Sequence, residues 1–335
     1  MKIDVGLDSN LKKVGAQAEE FEALGYDGLL TFETSSDPFL PLTVAADHTK
    51  DIDLMTSIAV AFARTPMTLA GVAHDLNAFS DGRFTLGLGS QIRPHITKRY
   101  SMPWSRPAAR MKELIQAMHA IFDCWYDGQD LNFRGEFYKH TLMTPMFAPR
   151  NTQNGRPKIA LAAVGPKMTE VAAAVADGLI IHPFTTERYL RDVTIPAVEA
   201  ELARSGRSRQ DFQFYMPHMT SSGATEESFN KVKKAIRNQL AFYGSTPAYK
   251  VVLDHHGWGD LQPELNIMSK QGRWDDMGAL INDEILDTFS VAGEPDQIAG
   301  KINERFGDII DRFSVTFADI PADKLPGIIA EIKAA

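Results

Sequence analysis

Two side chains able to move a proton close apolar, strand-like runs. Glu33 ends the run in "LLTFETSSD" and His182 ends the one in "GLIIHPF". A carboxylate or imidazole in such a place can act as general acid or base if a substrate reaches it. A histidine before proline at a strand end can equally be a hydrogen-bonded structural residue. A third candidate, Glu113 in "RPAARMKE", follows Arg110 by three positions, so on a helix the two are neighbours able to pair. His74 falls within a helical pattern and reads as structural. Adjacent His255 and His256 share no helix or strand face, and no carboxylate or cysteine has matching spacing, so no metal site is expected. Cys124, the single cysteine, falls in an apolar helical pattern and reads as a packing residue.

Two stretches suit an anion. In "AAVGPKMTE", residues 162–170, Gly165 permits close backbone approach and Pro166 is well placed as a first helical residue. The N–H groups that follow would face an anion at the helix N-terminus, and Lys167 adds charge. In "QIRPHITKRY", Arg93, His95, Lys98 and Arg99 concentrate positive charge in a chain whose net charge is −8. They read either as a rim for an anionic ligand or as a solvated loop face.

Leading into the second of these stretches is "DGRFTLGLGSQIRPH", residues 81–95, with Gly87-x-Gly89 after a strand-like run. A dinucleotide turn needs a third glycine and a helix opening at once, and Pro94 disfavours that helix. What remains is a strand end whose missing side chains leave room for a flat ligand or a close backbone approach.

The elements that must position these residues alternate. The sequence predicts strands at residues 2–7, 26–32, 52–60, 84–88, 158–163, 179–182, 212–216 and 312–317. Helical patterns lie between them, notably 11–24, 67–79, 166–176 and 190–205. Eight strands alternating with helices point to an α/β fold, a (β/α)8 TIM barrel, as one domain over residues 1–335. About 70 residues separate the fourth and fifth strands and roughly 95 the seventh and eighth, against shorter spacings elsewhere. Insertions of about 91–157 and 222–311 are therefore expected on the C-terminal face, where such barrels place their active sites. The first holds an amphipathic helix through Met111, Leu114, Ile115, Met118, Ile121, Phe122 and Trp125, then a small hairpin near residues 131–138. The second, rich in Gly, Asp, Trp and His over residues 244–287, is expected to form a lid. Trp104, Tyr138, Trp258 and Trp274, within the insertions, are candidates for substrate contact.

With 44% hydrophobic and 23% charged residues, the composition is that of a globular chain. The negative balance argues against nucleic acid, which needs a basic face. No apolar run approaches the ~20 residues that span a bilayer, and the start of the chain lacks a signal peptide's apolar core. One cysteine fits a reducing, cytoplasmic setting.

"SDGRFTLGLGSQ" resembles the fourth-strand signature of the bacterial luciferase-like superfamily, and within it the chain is similar to deazaflavin (coenzyme F420)-dependent oxidoreductases. The resemblance continues through "RPAARMKE", "GEFY", "VGPKMTEVAAAVADGLI" and "VAGEPDQIAGKI", and is weakest between Tyr243 and Asp287. It implies a cofactor ring across the barrel's C-terminal mouth, a non-proline cis peptide at Ser57–Ile58 bulging against the ring, and a homodimer. It places Gly87, Gly89, Ser90 and Gln91 near the ring, the phosphate at Gly165, Pro166 and Lys167, and the coenzyme's polyglutamate tail near Arg99. It also implies a glutamate beside the ring at Glu113. Some members end the second strand in Asp-His; here the residues are Glu33-Thr34, a departure that argues against the sugar-phosphate substrate of those members. The implied activity is hydride transfer between F420 and a small organic substrate. Flavin mononucleotide (FMN)-dependent monooxygenation is the alternative, and a barrel that binds a ligand without a cofactor is the second.

Overall fold

In the computed structural model of the chain, which describes residues 1–223, 225–317 and 320–334, eight parallel strands close into a barrel. They are β1 (Lys2–Gly6), β2 (Gly28–Thr31), β3 (Asp53–Thr56), β4 (Phe84–Gly89), β5 (Lys158–Ala163), β6 (Gly178–Ile181), β7 (Gln213–Pro217) and β8 (Arg312–Ser314). Each pairs with its sequence neighbour, and β8 pairs with β1 to close the ring. The reading of residues 52–60 as one strand needs correction. β3 stops at Thr56, the Ser57–Ile58 peptide is cis, and Ala59–Val60 then resumes pairing with Leu88 and Gly89. β8 is also shorter than expected, ending at Ser314.

Alternation along the strands sorts the core into two layers. Outward residues such as Ile3, Leu29, Leu54, Leu86, Ile159, Leu179, Phe214 and Phe313 pack under the surrounding helices. Inward, Leu30, Met55, Ala160, Ile180 and Tyr215 form the barrel's own plug, with Ile58 and Ala162 against it. Below the plug the interior is ionic: Arg312 Nε and Nη2 donate to both carboxylate oxygens of buried Asp4 at 2.9 and 2.5 Å, and Nη1 donates to Asp53 Oδ2 at 2.6 Å.

Local chemistry fixes the helix ends. Asn10 caps Leu11–Leu24 by accepting from Lys12 N, and Gly25 closes it at φ 92°, a conformation L side chains avoid. A capping box of Thr65 and Thr68, with Pro66 opening the helix, starts Pro66–Phe79 after the Ala59–Val60 pairing and a short turn at Ala61–Ala63. Phe39–His48 is a helix the sequence pattern did not announce.

Residues between β4 and β5 hold the amphipathic helix, Pro107–Asp127, and a hairpin pairing Phe133–Arg134 with Lys139–His140. Between β7 and β8 the chain is mainly helical, including Glu226–Gly244, Lys250–His255, Leu261–Lys270 and Asp283–Phe289. These helices build a second apolar core around Leu240, Leu253, Leu265, Leu286 and Phe289, joined by Phe184 and Tyr189 from the segment after β6, Tyr189 in a short helical turn. Among the described residues, no helix is long and apolar enough to cross a membrane.

Candidate active site

The inward rows of the strands converge at the C-terminal mouth on an apolar floor. Ile58 lies over the barrel plug, Ala162 lies beside it, and Phe32, 44% exposed, lies over Gly6. The glycine pair of β4 makes this floor possible. A β-carbon on Gly87 would collide with the Thr56 carbonyl oxygen, and one on Gly89 would lie 2.7 Å from Ile58 Cγ1. Thr56 Oγ1 completes the junction, donating to Gly87 O at 2.7 Å and accepting from Gly87 N at 2.9 Å. The two glycines thus let the Thr56–Ile58 turn press against β4, and the phosphate cradle of a dinucleotide turn is not what they form.

Above β4 the backbone is unusual. Gln91, Ser101 and Arg106 have φ of 56°, 55° and 32°, which non-glycine residues occupy at an energetic cost and chiefly at sites under functional constraint. Ser90 Oγ donates to Gln91 O at 3.1 Å, and the segment then turns back over the end of β2. There Arg99 donates to Thr34 O, with its guanidinium 5.0 Å from the Tyr100 ring centroid. Arg93, Lys98 and Arg99 are exposed, and among the described residues no carboxylate pairs with them. Lys167 is likewise exposed and unpaired, beside Gly165, in front of which the space is open. Pro166 opens the helix Pro166–Val175 just past the end of β5.

The three proton-transfer candidates come to different places. Glu33 is buried and accepts from Val60 N at 2.7 Å, Arg64 Nη1 at 2.7 Å and Tyr100 OH at 2.9 Å. Burial and then the hydrogen bond to Glu33 push the Tyr100 phenol above its ordinary range. Glu33 therefore ties together the ends of β2 and β3 and the basic segment. Glu113 is fully engaged elsewhere. Its Oε1 accepts from Phe137 N at 2.6 Å and Tyr138 N at 2.8 Å, and its Oε2 from Glu136 N at 2.9 Å. The expected Arg110–Glu113 pair is not formed: Arg110 donates to Tyr138 OH at 3.0 Å and Pro103 O at 2.6 Å, above the Phe62 ring. Both residues clamp the hairpin, each through different groups.

His182 continues the inward row of Gly178 and Ile180 at the end of β6. Its Nδ1 accepts from Phe184 N at 3.0 Å, and its Nε2 lies 3.1 Å from Tyr249 OH. The Tyr243 and Tyr249 rings stand 4.8 and 4.5 Å from the imidazole, and burial pushes its pKa down to about 4. The imidazole is therefore neutral at pH 7.

The other singled-out residues are structural in this arrangement. His74 bonds Tyr126 and Asn151, His255 pairs with Asp192, and His256 bonds Thr186 while stacking on Trp258. Trp104 packs edge-on to Phe62, and Trp274 packs on Phe242 at the surface of the second insertion. A groove of about 760 Å³ lies among insertion helices between Asp260 and Leu280 and is lined by none of the inward barrel residues. Sequence reasoning missed Phe32, Arg64, Tyr100 and Tyr249. Only Phe32 carried a local signal, as an apolar residue next to Glu33.

A family model described as luciferase-like monooxygenase matches residues 3–312. The chain is 49% identical over 312 residues to the uncharacterized protein Rv1360 of Mycobacterium tuberculosis, covering 93% of this chain and 92% of that one. It is 28% identical over 270 residues to a 5,10-methylenetetrahydromethanopterin reductase of Archaeoglobus fulgidus, covering 78% and 76%. Over 294 residues it is 25% identical to a putative coenzyme F420-dependent oxidoreductase of Mycobacterium tuberculosis, covering 83% and 82%. Among solved structures it superposes on the coenzyme F420-dependent tetrahydromethanopterin reductase of Methanopyrus kandleri with a TM-score of 0.80, at 19% identity and covering 100% and 98%. An FMN complex of the oxygenating constituent of a Pseudomonas putida diketocamphane monooxygenase superposes with a TM-score of 0.67, at 16% identity and covering 99% and 97%.

Proposed function

Because the chain belongs to the luciferase-like monooxygenase family, we propose that it is an F420-dependent oxidoreductase acting on a small organic substrate. F420 supplies a ring that gives or takes a hydride, together with a phosphate and an anionic tail. The residues at the mouth fit such a group. Ile58, Ala162 and Phe32 offer an apolar floor for a flat ring, and Gly89 keeps side-chain bulk off it. Gly165, Pro166 and Lys167 offer a phosphate an open helix N-terminus with a cation beside it. Ser57 belongs to the turn that carries Ile58, and Ser90 and Gln91 to the strained turn over β4, both at the rim of the floor.

The observation that carries F420 over FMN is the rim. Arg93, Lys98 and Arg99 have no carboxylate partners among the described residues, whereas Arg64, Arg106 and Arg156 are each paired. Unneutralised cations of this kind suit a polyanionic tail, which FMN lacks. Glu33 and Glu113 hold their surroundings in shape, and His182 stands at the mouth as a neutral imidazole. A homodimer acting in the cytoplasm belongs to this reading.

The test is a fluorescence titration of the purified protein with F420 and, separately, with FMN. Saturable binding of F420 in preference to FMN supports the reading. Preference for FMN moves the protein to monooxygenation, and binding of neither leaves a barrel without this cofactor chemistry.

A further inference from the structure

Nδ1 of His182 accepts the Phe184 amide proton, so it must carry a lone pair. A neutral imidazole then bears its proton on Nε2, and that N–H points at the Tyr249 oxygen 3.1 Å away. Tyr249 therefore accepts from His182 and keeps its own O–H proton, for which no acceptor exists among the described residues. Tyr249 is partly buried, with its hydroxyl against His182 at the end of β6 and its ring beside Tyr243 and Phe184.

We infer that Tyr249 is the hydrogen-bond donor this mouth offers to a carbonyl or imine substrate, with His182 as the residue that positions it. The inference rests on the mouth being the reacting site. A free O–H held by a fixed N–H is a donor preorganised for an atom that gains negative charge. Burial pushes the Tyr249 phenol up to about 12, so it polarises the acceptor atom without giving up its proton. In a carbonyl reduction a reduced deazaflavin would supply the hydride to carbon, losing two electrons and releasing one proton to solvent. The C=O π electrons would move onto oxygen, facing Tyr249, and that oxygen would take up one proton from solvent, so that charge and protons balance.

The test uses the full chain without added cofactor and cyclohexanone labelled with 13C at its carbonyl as probe. Infrared difference spectra read the C=O band and saturation gives the affinity. A downshifted band in the wild type that returns to its free position in Tyr249→Phe is expected, with affinity weaker by up to about tenfold. In His182→Phe the band is expected to broaden, since Tyr249 loses its anchor. 15N shifts of His182 in the wild type should show a lone pair on Nδ1 and a proton on Nε2. An identical band in wild type and Tyr249→Phe overturns the inference, as does the absence of saturable ketone binding or the opposite tautomer. Titration of the same samples with F420 keeps the two readings apart. A shifted ketone band without F420 binding overturns only the cofactor, and F420 binding without a shifted band overturns only the donor.

Discussion

The Ile58 side chain fills the space that a β-carbon on Gly89 would occupy, with Cγ1 2.7 Å from that position. The neighbouring position, Gly87, faces something stiffer, the backbone carbonyl of Thr56. The two glycines should therefore respond differently. Gly87→Ala must move backbone and is expected to destabilise the barrel by about 1–3 kcal/mol. Gly89→Ala displaces a side chain and should destabilise less. Gly89→Phe puts a ring onto the floor and should abolish F420 binding while leaving a cooperative unfolding transition. Denaturant melts paired with F420 titrations check this, and retained binding in Gly89→Phe would remove the ring from the proposed floor.

Glu113 holds three consecutive amides of the hairpin, at Glu136, Phe137 and Tyr138. Glu113→Ala leaves those donors without a partner and should destabilise by about 1–3 kcal/mol. Glu113→Gln keeps one acceptor oxygen and should lose less. Amide hydrogen exchange at residues 136–138 should speed up in the alanine variant, while F420 affinity changes little. A large loss of F420 affinity in Glu113→Gln with unchanged exchange would return this carboxylate to the ring.

The barrel was legible in the sequence because short apolar runs at regular intervals are what doubly covered parallel strands require. The break in β3 was not legible in residues 52–60 themselves, which read as one strand with no local mark at Ser57; the cis peptide at Ser57–Ile58 was expected from the family resemblance alone, and it is present. The helix Phe39–His48 escaped for a related reason. It buries Phe39, Pro41, Leu42, Ala45 and Ala46 on more than one face and carries a proline, tolerated only because it lies in the first turn. At the site, residue type pointed to Glu33 and Glu113, but what a carboxylate does depends on its partners. Those partners, Tyr100 and the hairpin amides, come from 67 and 23–25 positions away. Tyr249 was invisible for the same reason, being 67 residues from the histidine it meets.

The unpaired rim makes a salt-dependent prediction. Exposed ion pairs contribute roughly 0.2–1 kcal/mol each, so replacing Arg93, Lys98 and Arg99 together by Ala should weaken F420 binding by about tenfold. The difference between wild type and triple variant should shrink at high ionic strength, where exposed charges are screened. FMN, lacking the tail, should bind both proteins alike. Titrations at low and high salt separate this from a general loss of fold, and a deficit that persists unchanged at high salt would show that the three cations act otherwise.

His218 sets a limit on acid stability. It is buried between the rings of Phe306 and Phe313, with centroids 4.9 and 5.5 Å away, and neither nitrogen has a hydrogen-bond partner among the described residues. Burial, reinforced by nearby Arg305, pushes its pKa down to about 3. An unfolded chain would titrate it near the ordinary value of about 6.5. As pH falls below that value the unfolded state takes up the proton first, so stability is full above about 6.5 and drains away towards about 3. Between pH 7 and pH 5 the loss from this one side chain is on the order of 2 kcal/mol. His218→Leu keeps a similar apolar volume and removes the titration, so its stability should fall less steeply with pH over that window. Urea denaturation of both proteins at pH 7, 6 and 5 measures the difference. Parallel pH profiles would mean that the acid sensitivity lies with other groups and that His218 is protonated without penalty.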